Sequence, residues 1–157
     1  MRLGPQCSSE VQEGAAAKLA SLSRSSFGPT YSWSTEIAAA GAILPLVALL
    51  GPHNALSVQI SATMALTYLA LQNNDNQVKI AAAGAIPPLV ALLGPQNSAN
   101  IQYDAIGALR NLAANAGNRF RICSAGAVSA LTQLAESAAY DLLRSTANAA
   151  LDIIKQC

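Results

Sequence analysis

Apolar positions along this chain keep a helical rhythm that stops and restarts at a fixed interval. From Asn76 to Ala113 one full cycle can be followed. The stretch QVKIAAAG predicts a short helix, with Asp75 or Asn76 as its cap and Gly84 as a left-handed terminator. A second helix is expected from Ile86-Pro87-Pro88, because proline fits the first turn of a helix, and LVALL should end at Gly94-Pro95. After the polar link QNSAN, the segment IQYDAIGALRNLAA carries its apolar residues on one face and predicts a longer helix ending near Asn115-Ala116-Gly117. The cycle reads as short helix, buried helix, long helix.

The cycle repeats. IAAAGAILPLVALLGP at Ile37–Pro52 returns as IAAAGAIPPLVALLGP at Ile80–Pro95, and more loosely as RICSAGAVSALTQLA at Arg121–Ala135. Gly41 and Gly84 stand 43 residues apart, and Gly126 follows 42 residues later. The long helix returns too: Gln59, Ala62, Leu66 and Leu69 match Gln102, Ala105, Leu109 and Leu112, then Arg144, Ala147, Leu151 and Ile154. Gln12, Ala15, Leu19 and Leu22 repeat the pattern ahead of the first full unit. The organisation expected is a disordered 1–8, then an orphan third helix at Ser9–Ser23 with a polar loop through residue 33, then repeats at 34–75, 76–117 and 118–157. A period of this length marks a stacked-repeat protein, which uses an extended surface for binding.

Three helices in 42–43 residues, with AGAIPPLVALL on the second and Q-x-x-A-x-x-A-L-x-x-L-A on the third, resemble the armadillo repeat. Tetratricopeptide and ankyrin units are nearer 34 and 33 residues, and HEAT repeats usually pair two helices. The chain is similar to the armadillo arrays of plant and algal cytosolic proteins, some of which follow a U-box in ubiquitin ligases. The resemblance implies an all-α, right-handed superhelix of three complete repeats. It also implies a non-catalytic interaction module whose third helices line a concave groove for an extended segment of a protein or peptide partner. Two other roles fit the family: the substrate-recognition part of a ubiquitin ligase whose catalytic module lies elsewhere, and a membrane-tethered scaffold. The expected location is the cytoplasm, with the nucleus as a second.

Helical spacing selects the outward face. With Ala62, Ala65, Leu66 and Leu69 facing inward, Ile60, Met64, Thr67 and Leu71 lie opposite, flanked by Tyr68. Tyr103, Gly107, Arg110 and Ala114, flanked by Asn111, take these places in the second unit. In the third they are Ser145, Ala149, Asp152 and Gln156, flanked by Ile153. Met64, Thr67, Tyr68, Tyr103, Arg110, Asn111 and Asp152 form the candidate partner-binding set, since tyrosine and arginine dominate binding hot spots and asparagine can bond an extended backbone. Nuclear-signal receptors of the importin-α type repeat a tryptophan and, four residues on, an asparagine along this helix. Here the pairs read Met64/Tyr68, Gly107/Asn111 and Ala149/Ile153, so only Asn111 matches, and the single tryptophan, Trp33, is expected in the loop. Acidic neighbours for a basic peptide are scarce along this stripe.

Composition removes other functions. The net charge is +1 and the cations are scattered singly, so there is no basic stripe to neutralise phosphates and no nucleic-acid partner is expected. No charged residue falls between Ile37 and Asn74, but a membrane span needs roughly 20 consecutive apolar residues and these runs are shorter and cut by Gly-Pro, so direct membrane insertion is not expected. Cys7, Cys123 and Cys157 are odd in number and widely spaced, which argues against a disulfide framework and for a reducing compartment. Cys123 stands at a position where the other copies have alanine, so a small buried side chain is expected there. His53 is the only histidine and lies in a loop, so neither a catalytic pair nor a metal site is expected, and no cofactor motif is present. An orphan third helix would leave apolar surface at the N-terminal end, from which either a truncated or partial gene product or self-association through that end is expected.

Overall fold

A computed structural model describes residues 31–155, with side chains placed from residue 34. The expected orphan helix at Ser9–Ser23 and Gln156 lie outside the described residues, and so does any self-association through that helix. Within them, all regular structure is helical. The first unit contains α1 (Tyr31–Ala39), α2 (Ile43–Ala48) and α3 (Leu56–Ala70). The second contains α4 (Asn74–Ala82), α5 (Ile86–Ala91) and α6 (Ala99–Ala113). The third contains α7 (Ala116–Ser124), α8 (Ala127–Ser137) and α9 (Asp141–Ile154).

The punctuation follows the glycines. Gly41, Gly84 and Gly126 have φ of +82°, +85° and +85°, the left-handed turn that ends each first helix and re-aims the chain into the second. Pro87 opens α5 in its first turn, where its missing N–H costs nothing. The third unit has no Gly-Pro after its second helix, and α8 accordingly runs on to Ser137.

Several boundaries differ from the sequence pattern. The first helices open at Tyr31, Asn74 and Ala116, ahead of the expected 34, 76 and 118. The cap of α4 is Asn73, whose side-chain oxygen accepts from the Asn76 amide at 3.0 Å; Asp75 and Asn76 already lie inside the helix. Asn115 plays the same part for α7, accepting from Asn118 at 3.2 Å, so α6 ends at Ala113 and Ala116-Gly117 begin the next helix. The backbone of Trp33 belongs to α1 rather than to a loop. For α4 and α7 the differences share one cause: an asparagine three residues upstream offers an oxygen to the first free amides, and the period alone cannot tell which of two asparagines does so.

Polar side chains join the helices by repeated bonds. Gln59 Nε2 donates to the carbonyls of Leu50 and Gly51 at 3.1 and 2.8 Å, and Gln102 Nε2 to those of Leu93 and Gly94 at 3.3 and 2.9 Å. Arg144 substitutes a longer fork, with Nε to Ala135 O at 3.2 Å and Nη2 to Ala138 O at 2.8 Å. Thus the matched positions at the start of the third helices satisfy the orphan carbonyls at the end of the second. A second set crosses between units. Asn76 Nδ2 donates to Ser34 O and Leu69 O at 3.0 and 2.9 Å, and Asn118 Nδ2 to Gln77 O and Leu112 O at 3.0 and 3.1 Å.

The core runs uninterrupted through the stack. Leu46, Leu66, Leu69, Leu89, Leu109 and Leu131 are buried, and the small Ala62, Ala105 and Ala147 let the third helices approach closely. α3 packs on α6 and α6 on α9, so the third helices form one continuous layer. Cys123 departs from expectation: it is half-buried and disulfide-bonded. Its Sγ also sits 3.4 Å from the carbonyl of Ile154 at the end of α9.

Candidate partner-binding face

The layer of third helices carries the expected stripe, but its members are unequally available. Tyr103, Arg110 and Asp152 are exposed, together with Leu71, Ala114, Ser145 and Ala149. Met64, Thr67, Tyr68 and Asn111 are half-buried. Met64 packs against the core with Ile60 and Ile153, so its side chain is partly spent on the fold. The cause is the neighbouring helix: a third helix in a stack is flanked on both sides, which narrows the strip of surface that a lone helix would show.

Two expected contact residues bond to each other's helices. Asn111 Nδ2 donates to the carbonyl of Thr67 at 3.0 Å, tying α6 to the end of α3. Thr67 Oγ1 in turn donates to Thr63 O at 2.8 Å within α3. One N–H of the Asn111 side chain is therefore committed to the stack. Gly107 leaves a small gap beside them, where an added methyl would come 3.8 Å from Thr67 Cγ2.

The expected stripe joins a pocket that helical spacing did not indicate. A cavity of about 590 Å³ opens among the N-terminal parts of the three third helices. Ile60 of α3, Tyr103 and Asp104 of α6, and Tyr140 and Leu142 at the start of α9 line it. Tyr103, Tyr140 and Leu142 are 45%, 66% and 67% exposed, so three of the large apolar side chains left open to water converge on one place. Asp104 is half-buried there, and burial holds its carboxyl above the usual carboxylate range. Tyr140 precedes the first turn of α9 and Asp104 lies a 100° step off the outward stripe, so neither belongs to the one-face pattern. One sign of Asp104 was readable: positions 100, 101, 107 and 108 hold Asn, Ile, Gly and Ala, leaving it no cation one helical turn away.

Among the described residues, no group of three histidine, cysteine, aspartate or glutamate residues is placed to hold a metal ion. His53 is exposed in the turn after α2, 3.2 Å from the amide of Asn54. No helix among the described residues is long and apolar enough to cross a membrane.

Stacked three-helix units with a continuous third-helix layer define a helical-repeat solenoid. Residues 73–114 match the family model described as Armadillo/beta-catenin-like repeat. Among solved structures, the chain is similar to computationally designed armadillo repeat proteins for modular peptide recognition, at 32% identity and a TM-score of 0.85, over 95% of this chain and 60% of that one. It is also similar to a designed armadillo repeat protein in complex with the peptide (KR)4, at 30% identity and a TM-score of 0.85, over 96% of this chain and 60% of that one. The armadillo-repeats-only protein from Plasmodium falciparum shares the fold, with 21% identity and a TM-score of 0.80 over 98% of this chain and 66% of that one. No curated protein matches the chain. The chain is an armadillo-repeat protein. It spans about 60% of the length of the designed structures it matches.

Proposed function

We propose that this chain is a non-catalytic interaction module that binds an extended segment of a protein partner along its third-helix layer. The observation that carries this reading is the convergence of Tyr103, Tyr140 and Leu142 on the pocket between α3, α6 and α9. Aromatic and leucine side chains left open together on a rigid layer can bury apolar area against a partner without reorganising. Recognition of peptides by designed proteins of the same architecture supports it. Arg110 and Asp152 would then bound the strip and set which charges a partner can bring.

Selection from a random library of twelve-residue linear peptides displayed on messenger RNA tests the proposal. Peptides with micromolar affinity for the wild-type chain are expected. The pair Tyr103→Ala and Arg110→Ala should weaken them at least tenfold, since hot-spot truncations cost about 2 kcal/mol, while the melting temperature stays within about 2 °C. Binders whose affinity is indifferent to these substitutions would move the site elsewhere. No binder at all would remove the reading.

A further inference from the structure

We infer that Cys123 and Cys157 form a reversible clasp that fastens the end of α9 to α7, so that the redox state of the surroundings sets how tightly the third unit closes. Cys123 lies in the last turn of α7, is half-buried and is disulfide-bonded. Its Sγ stands 3.4 Å from the carbonyl of Ile154, the last residue of α9. Two other cysteines in the chain, Cys7 and Cys157, could share the bond. Cys157 follows Ile154 by three residues, a reach of at most ~10 Å, and a disulfide needs its two α-carbons within ~7 Å. Cys7 precedes α1, and α4 stands between α1 and α7 in the layer of first helices. Proximity therefore selects Cys157.

The bond falls where the stack needs it. Among the third helices described, α9 packs on α6 alone, and it leaves Arg144, Asn148 and Asp152 exposed along its outer side. Its contact with α7 is slight beside those with α6 and α8. A covalent link at the last turn keeps this end from peeling away, because the cross-link outlasts every opening that breaks only packing and hydrogen bonds.

The chemistry balances with a thiol–disulfide exchange. A small dithiol gives two electrons and two protons to the two sulfurs and closes to its own disulfide; oxidised glutathione takes them back and leaves as two thiols. In the reduced chain the Cys123 S–H can donate to the Ile154 carbonyl, one of those that a helix leaves free at its C-terminal end. That bond is weak, so both states keep the fold and differ in how readily the end of α9 opens. The clasp does not rest on the binding reading. Where that reading holds, reduction also loosens the wall of the pocket that Leu142 of α9 and its cap, Tyr140, provide.

Peptide mapping of the whole chain identifies the bond. The protein is incubated with oxidised glutathione, its free thiols are blocked with iodoacetamide, and it is digested with trypsin without reductant. Cleavage after Arg121, Arg144 and Lys155 should yield residues 122–144 joined to residues 156–157. Dithiothreitol should separate the two peptides. On the intact chain it should lower the melting temperature by at least about 5 °C and speed amide exchange in residues 143–154 at least about tenfold. Cys157→Ser should melt with the reduced wild type and ignore dithiothreitol, while Cys7→Ser should keep the full response. Residues 122–144 joined instead to residues 3–18, a bond between two chains, glutathione on Cys123, or Cys123 fully alkylated would each overturn the clasp. A correctly joined peptide whose reduction changes neither melting nor exchange would overturn its effect on α9.

Discussion

Asn118 shows how much a single polar side chain does in this fold. It is buried, its amide nitrogen donates to Gln77 O and Leu112 O, and its own backbone amide is capped by Asn115. Asn118→Ala would remove one side-chain hydrogen bond to each of two helices, although Leu112 O keeps the backbone amide of Asn115 at 3.2 Å, and a lost intramolecular hydrogen bond costs about 0.5–1.5 kcal/mol. Urea unfolding should show a loss of about 1–3 kcal/mol, against less than about 0.5 kcal/mol for the exposed Asn148→Ala. A loss at Asn118 no larger than at Asn148 would mean that water replaces the side chain. The asparagines at 76 and 118 were visible in the repeat, but their work was not. Spacing shows that a residue recurs; only the folded chain shows which carbonyls it reaches in the preceding unit.

Within elements, the same residue type acts in opposite senses at Gly84 and Gly107. Gly84 adopts φ +85° after α4, where a β-carbon is strained, while Gly107 sits inside α6, where it only lowers helix propensity. Gly84→Ala should destabilise by about 1 kcal/mol, lowering the melting temperature by about 2–4 °C. Gly107→Ala should raise it by a similar amount, because the added methyl meets Thr67 Cγ2 at 3.8 Å, an ordinary contact distance. Differential scanning fluorimetry of the two variants checks both signs, and a shift of the same sign in both would refute the distinction. Helix identity was legible here because the turning glycine and the apolar period agree in every copy, and proline in the first two. Helix starts were less so: α4 and α7 begin where an asparagine oxygen faces a free amide, which is a matter of local geometry.

At the scale of the molecule, α6 is held on both sides, by α3 and by α9, whereas α9 has one such neighbour among the described residues. In a stack whose stability sums contacts between adjacent units, the described end should open first. Amides of Ile101–Leu112 should exchange with solvent at least about tenfold more slowly than those of Leu143–Ile154, as hydrogen exchange read by NMR would show. Faster exchange in α6 than in α9 would contradict end-first opening.

The sequence by itself determined the period, the three-helix unit, the turning glycines and the armadillo family, because each is encoded within one unit and printed several times. It also determined the outward stripe containing Tyr103 and Arg110. The tertiary structure alone decided that Met64 is partly buried, that Asn111 commits one N–H to Thr67, and that Cys123 is paired. It also brought Asp104 together with Tyr140 and Leu142, residues from different units that share no helical face. A helical period reports the direction a side chain leaves its own axis. What that side chain then meets depends on the neighbouring helix, some 40 residues away along the chain, and no pattern within one unit contains that distance.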